Sequence, residues 1–113
     1  MYEYKCRLIR VIDGNTVEAD VDLGFNIRIN QKIRLFGVEA TNPQTADKQT
    51  IDAEIAKLKS MVPREFIVQT ILNKRSKIGR CLGIIFVETE TEIARININD
   101  ELILRGLAKK FTS

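Results

Sequence analysis

The residues of this sequence that could do chemistry begin at a turn between two alternating runs. The segment RVIDGNTVEAD, residues 10–20, predicts a strand, a tight turn at Asp13-Gly14 and a second strand. The turn carries a carboxylate on Asp13 and an amide on Asn15, two residues apart. Carboxylate and amide oxygens are ligands for hard cations such as calcium. The pattern therefore leaves two alternatives, the lip of a metal site or a polar hairpin.

A second segment of this kind is NKRSKIGR, residues 73–80, which holds four cations and no acid: Lys74, Arg75, Lys77 and Arg80. The net charge of +3 comes from this half of the chain, because residues 63–113 carry nine Lys/Arg against six Asp/Glu. Residues 1–62 carry nine of each. Four like charges so close together repel unless they are solvated or face an anion. A solvated hairpin tip and a phosphate contact are the two alternatives.

Bulk composition excludes several classes of protein. The 113 residues suit one domain, 1–113, and the 44% hydrophobic and 29% charged content is ordinary for a globular chain. No apolar run approaches the ~20 residues that span a bilayer, and the N-terminus lacks the layout of a signal peptide. We therefore expect a cytoplasmic protein with no membrane partner. The absence of histidine excludes catalytic triads that depend on it, and Cys6 and Cys81 lie in apolar runs typical of reduced, buried thiols.

Alternating runs and turn residues place the elements that must position these groups. Three antiparallel strands are predicted over residues 2–12, 16–23 and 25–36, then a loop, a helix over 48–61, strands over 65–72 and 81–88, and a short helix over 98–106. Phe25, Ile27 and Ile29 are predicted to share one strand face, and Asn99 to cap the last helix. The fold class is therefore mainly β (α+β), a five-stranded OB-fold barrel with a helix after strand three and a short C-terminal helix.

Four motifs then occur in one order along the chain. They are DGNT at the first turn, IRLFG at the end of the third strand with an acid soon after it, KIGR before the fifth strand, and LILRGLAK near the terminus. This order resembles the staphylococcal nuclease (thermonuclease) family, most closely its short phage-type members, over almost the whole chain. The family is an OB-fold of calcium-dependent phosphodiesterases that act on DNA and RNA.

The resemblance implies a role for individual residues of this sequence. Asp13 and Glu39 correspond to ligands of the metal ion, and Arg34 and Arg80 to the arginines that grip the scissile phosphate. Guanidinium groups suit that task because they bind phosphate through two parallel hydrogen bonds. Lys74, Arg75 and Lys77 extend Arg80 into a basic groove for a nucleic acid backbone. A salt bridge to Glu39 or Asp20 at the barrel edge is the alternative for Arg34.

Two positions depart from the family pattern. Asn15 stands where the family has its second acid, and Asn42 or Gln44, according to where an insertion is placed, stands where it has its catalytic glutamate. An amide oxygen coordinates calcium without contributing charge, so Asn15 is a weak ligand. An amide cannot take a proton from water, and loss of a general base typically costs ~10²–10⁴-fold in rate. Glu39 is the substitute base, although one acid cannot easily serve as both ligand and base.

The sequence therefore predicts a nuclease-fold protein that binds nucleic acid or another phosphate-bearing ligand and cuts weakly or not at all. One alternative is an active calcium-dependent nuclease with an altered metal site. A further alternative is a phage structural or protein-interaction module. We expect calcium to bind weakly, and the chain to be a monomer. Tyr2, Tyr4 and Phe111 are candidates for stacking on a base, whereas core packing explains the phenylalanines better.

Overall fold

The computed structural model describes residues 2–39, 47–71, 80–88, 95–105 and 109–110. The elements along the chain are β1 Glu3–Asp13, β2 Thr16–Asp22, β3 Arg28–Leu35, β4 Val38–Glu39, α1 Lys48–Met61, β5 Glu65–Ile71, β6 Arg80–Glu88, β7 Arg95–Asn97, α2 Ile98–Leu104 and β8 Lys109–Lys110. Helix α1 has the predicted bounds. Its first turn is capped by Asp47, whose carboxylate accepts a hydrogen bond from the Thr50 amide at 2.7 Å.

Five of these strands close into a barrel. Strand β1 pairs antiparallel with both β2 and β5, and β3 and β6 continue the sheet on either side. The barrel closes where β3 and β6 run parallel, with registers from Lys32 opposite Arg80 to Leu35 opposite Gly83. This pairing confirms the predicted barrel, which is OB-fold-like and mainly β with two helices. It also brings the end of β3 beside the start of β6, although 44 residues separate Leu35 from Arg80 in the chain.

The core follows from the alternation that the sequence displays. Buried residues of the barrel strands include Cys6, Val17, Ala19, Val21, Ile33, Leu35, Phe66, Val68 and Ile85. The same cluster also contains Val38 of β4, Leu58 and Val62 at the end of α1, and Ile98 and Leu102 of α2. Because every second residue of a strand faces the core, the residues between them face outward, and Arg34 lies between buried Ile33 and Leu35. The functional candidates on β3 are therefore fixed by the residues that pack beneath them.

Close packing at Gly83 allows a test of this core. A Cβ added there would lie 2.5 Å from Val68 Cγ2 and 3.2 Å from Ile33 Cγ2. We expect Gly83→Ala to lower the free energy of unfolding by about 1–3 kcal/mol, as overpacking does, in urea denaturation followed by circular dichroism. In a double-mutant cycle, Val68→Ala removes the nearer methyl group and should reduce the cost of Gly83→Ala. Additive effects of the two substitutions would contradict the described packing.

Two predictions about local structure were wrong. Strand β3 begins at Arg28 instead of Phe25, because Gly24, Phe25 and Asn26 all have positive φ and form the turn of the hairpin. Phe25 is 97% exposed, and Ile27 and Ile29 are exposed as well. The cap of α2 is Asn97, whose side chain accepts a hydrogen bond from the Asp100 amide at 3.0 Å.

The two cysteines are free, as predicted, and belong to the barrel interior. Burial raises the pKa of the Cys6 thiol to about 12, and burial also raises the pKa of Cys81. Both thiols therefore stay protonated at neutral pH, and a protonated thiol is a poor nucleophile and a poor metal ligand. The candidate chemistry of the described residues rests on carboxylates, amides and guanidinium groups.

Candidate nucleic-acid interface

The turn between β1 and β2 lies against the end of β3. The Asp13 carboxylate accepts a hydrogen bond from the Asn15 backbone amide at 3.0 Å, which closes the turn locally. Thr16, the first residue of β2, is the register partner of Arg34. The Asn15 carbonyl also accepts a hydrogen bond from the Leu35 amide at 2.7 Å. Asp13 and Arg34 are thus held at the same end of the barrel by backbone pairing.

Asn15 has a structural role at this end. The side chain is only 7% exposed, and its amide nitrogen donates to the Val38 carbonyl at 3.1 Å. Its amide oxygen accepts a hydrogen bond from the Thr16 hydroxyl at 3.0 Å. Because a carbonyl only accepts, the group facing Val38 must be a donor, which an amide supplies and a carboxylate does not. The amide therefore ties the first turn to β4.

Glu39 is the residue next to the hydrogen bond between Asn15 and Val38. It is the second residue of β4, it is exposed, and its register partner is Lys109 of β8. Asn15 holds the carbonyl of the preceding residue, Val38, so the position of Glu39 depends on the first turn. The structure thus places the predicted acid at the same end of the barrel as Asp13, in contact with solvent.

Arg34 and Arg80 come from neighbouring strands. Arg34 is the register partner of Thr16 on one side and of Leu82 on the other, and its exposure is intermediate. Arg80 is described by its backbone, which pairs with Lys32. The two arginine positions are therefore two residues apart in register across a parallel strand pair. Asp20, one of the two salt-bridge partners considered for Arg34, forms an ion pair with Arg28 at 3.6 Å.

Glu54 of α1 is a residue of this region that the sequence did not predict. A Cβ built on Gly14 would lie 2.5 Å from Glu54 Oε2, so the carboxylate lies directly over the turn that carries Asp13. Glycine at position 14 makes room for it. Glu54 lies one helical turn before buried Leu58, so it shares the inward-facing side of α1. The four-residue spacing of Glu54 and Leu58 indicates that Glu54 faces inward. It does not show which part of the barrel the helix packs against, because that depends on tertiary packing.

The other predicted site residues lie outside the described residues. These are Asn42 and Gln44 of the predicted loop, and Lys74, Arg75 and Lys77 of the basic sequence segment. The structure therefore brings Asp13, Asn15, Arg34 and Glu39 to one end of the barrel, with the backbone of Arg80 beside them. The roles predicted for the remaining five stay predictions.

The described donors do not fit a calcium site. Within the described ranges, no three acidic or thiol side chains come together in a group able to hold a metal ion. Calcium takes six to eight oxygen ligands, and its affinity rises with the number of charged ones. The side-chain oxygen of Asn15 accepts a hydrogen bond from Thr16, and its nitrogen donates one to Val38. Calcium binding by Asp13 and Glu39 stays a prediction.

Acids on β2 limit where a polyanion can lie. Glu18, Asp20 and Asp22 form an outward row on that strand, and arginines of β1 and β3 pair with them. Arg10 Nε donates to Glu18 at 2.6 Å, and this hydrogen bond and a second one from Asn30 lower the pKa of the Glu18 carboxyl. Cations already paired with acids attract phosphate weakly. Lys32, Arg34 and the backbone of Arg80 lie together at the β3–β6 pairing.

A cavity of about 370 Å³ lies at the other end of the barrel. Its lining includes Lys5, Asp22, Arg28 and Glu88, from the start of β1, the end of β2, the start of β3 and the end of β6. The candidate residues lie at the opposite ends of β2, β3 and β6. Arg28 is paired with Asp20 and Asp22, so the cavity has no surplus of one charge that would select a ligand.

No protein-family model matches this chain, and no curated protein sequence matches it. Among the described residues, neither helix is long and apolar enough to cross a membrane.

Proposed function

We propose that this chain is a staphylococcal-nuclease-like OB-fold protein that binds the phosphate backbone of nucleic acid through Arg34 and Arg80 and hydrolyses it weakly or not at all. The observation that supports the proposal is the parallel pairing of β3 with β6, which sets the two arginine positions on neighbouring strands, two residues apart in register, with Arg34 next to the turn of Asp13. Neighbouring strands are ~4.8 Å apart and two residues of a strand span about 7 Å, so two long side chains from these positions can reach one phosphate or two successive ones.

Electrostatics support the same ligand. Lys32 shares the outward face of β3 with Arg34, and it is exposed. The acids of β2 form ion pairs with Arg10 and Arg28, so they repel a polyanion less than unpaired acids would. Phosphate contacts by Lys and Arg supply most of sequence-independent affinity for nucleic acid. The proposed binding is therefore not specific for base sequence.

Weak hydrolysis is proposed because position 15 holds asparagine, where the family pattern has an acid. The amide there carries no charge, and both of its polar ends are engaged within the protein. One unit charge at contact distance is worth on the order of a few kcal/mol at an effective dielectric near 20, so its loss weakens the hold on a cation. Arg34 and Arg80 can still bind phosphate, whereas the neutral amide of Asn15 weakens the metal site that hydrolysis needs.

Arg34 provides the test of the phosphate contact. We expect Arg34→Gln to weaken binding of a labelled oligonucleotide roughly 10-fold, the scale of a charge-assisted hydrogen bond, and to reduce the slope of log K against log salt by about 1. Fluorescence anisotropy at several salt concentrations measures both. Arg28→Gln is the matched control, because Arg28 lies at the other end of the same strand, beside Asp20 and Asp22.

Equal losses for the two variants would show a diffuse charge effect and contradict the proposed site. Absence of binding by the unmodified chain would contradict the proposed function as a whole.

A second candidate function, an active phosphodiesterase with an altered site, is favoured by one observation. The Glu54 carboxylate lies over the turn of Asp13 and adds an anionic oxygen where the family pattern has lost one. If that function is correct, Glu54→Gln abolishes chelator-sensitive cleavage, whereas Asp52→Asn, an exposed acid of the same helix, leaves it unchanged.

A further inference from the structure

Phe36 exposes a large part of its ring beside the proposed phosphate site. It directly follows β3, two residues after Arg34 and three before Glu39, and it is 48% exposed. It does not belong to the core cluster or to the partly buried residues packed against that cluster. Core packing, which was expected to account for the phenylalanines, does not account for this one.

The backbone of Phe36 is held on both sides. Its amide donates to the Gly83 carbonyl at 2.8 Å, and its carbonyl accepts a hydrogen bond from the buried side chain of Asn99 at 2.9 Å. The preceding residue, Leu35, is fully buried and donates to the Asn15 carbonyl. The ring therefore projects from a fixed point of the barrel end, so little conformational entropy would be lost when a ligand packs on it.

The surroundings of the ring point to the kind of ligand. Two residues along an extended strand span about 7 Å, so a backbone held at Arg34 brings an adjoining base within reach of Phe36. An exposed aromatic ring beside a cationic track is the combination that binds single strands, because each base has a face that can stack. Phe25 is more exposed, but it lies on the β2–β3 hairpin near Asp22, at the other end of β3 from Arg34.

We propose that Phe36 is a stacking platform for a base of single-stranded nucleic acid whose phosphate lies at Arg34. This inference rests on the proposed function and narrows its ligand to single-stranded nucleic acid. Bases in a duplex are already stacked on each other and cannot cover the ring. The protein therefore prefers single strands over duplexes, and it does so through Phe36.

The test uses Phe36→Leu, which keeps an apolar side chain of similar size but removes the π face. We expect affinity for a short labelled oligothymidylate to fall by about 5- to 100-fold, the range for one stacked base, with no change in the salt slope. Affinity for duplex DNA and for an abasic oligomer of the same length should not change. Phe36→Tyr should retain binding, and Phe25→Leu is the matched control at the far end of the barrel.

Each outcome bears on one proposal. Unchanged affinity of Phe36→Leu for the oligothymidylate, or an equal loss on the abasic oligomer, would overturn the stacking role. In that case the phosphate site would still stand if Arg34→Gln lowers affinity and salt slope. Thermal melts of both leucine variants check that the fold is intact, and an equal loss for Phe25→Leu would also overturn the inference.

Discussion

Replacing Asn99 by aspartate is expected to lower the free energy of unfolding by about 3–5 kcal/mol at neutral pH, a large part of the stability of a small domain. The Asn99 side chain is 3% exposed and makes three hydrogen bonds. Its oxygen accepts from the Ile85 amide at 3.0 Å, and its nitrogen donates to the carbonyls of Phe36 at 2.9 Å and Gly83 at 3.1 Å. A carboxylate keeps the first bond but turns an acceptor toward two carbonyls.

The pH dependence of Asn99→Asp has a defined sign. Burial beside carbonyl oxygens raises the pKa of the introduced carboxyl above its value in the unfolded chain, about 3.9. Its contribution to stability is then fully present below that value and is lost as pH rises through the folded-state pKa. Urea melts across pH 3 to 8 should therefore show the smallest penalty in acid. Asn26→Asp, in the exposed hairpin turn, is the matched control, and an equal loss there would contradict the described network.

Replacing Asn15 by aspartate is the second large effect. The Val38 carbonyl loses its donor and meets a buried carboxylate at about the 3.1 Å that now separates it from the amide nitrogen. We expect a cost of about 2–4 kcal/mol in urea denaturation without metal, again with Asn26→Asp as the control. Because the tie to β4 positions Glu39, we also expect no gain in calcium-dependent cleavage from this substitution alone.

The result for Asn15→Asp separates the two candidate functions. If stability is unchanged and cleavage with calcium rises, the turn is the lip of a metal site and the residue is not a structural tie. If stability falls and cleavage stays low, the amide is retained because the barrel end needs a donor at that point. The measurement is a paired one, a melt with chelator and a cleavage assay with calcium on the same preparation.

The barrel was predictable because its strands carry a one-sided pattern. Val17, Ala19 and Val21 alternate with acids, and each of the three is buried. The stripe of Ile51, Ile55 and Leu58 and the stop near Pro63 gave the bounds of α1 correctly. Alternation failed at Phe25, because a hairpin turn with three positive φ angles can carry an apolar side chain that no core requires.

The candidate site was predictable in part, for a different reason. A motif gives the type of residue at a position but not what its polar atoms contact. From the sequence, Asn15 is interpreted as the replacement of an acid, whereas in the structure its side chain donates a hydrogen bond to the Val38 carbonyl. Asn99 reads as a helix cap, whereas it joins β6 to the residue after β3. Glu54 was not predicted, because only the packing of α1 over Gly14 brings it to the site. The family resemblance and the phosphate contacts stay predictions.

The most direct test of the account is a titration of the chain with a labelled single-stranded oligonucleotide, with calcium or with chelator, read for both binding and scission. The account predicts binding that weakens as salt rises, that is nearly independent of calcium, and that is accompanied by little scission. Robust cleavage that chelator abolishes would contradict the claim that this end of the barrel binds better than it hydrolyses, and so would an absence of binding at low salt.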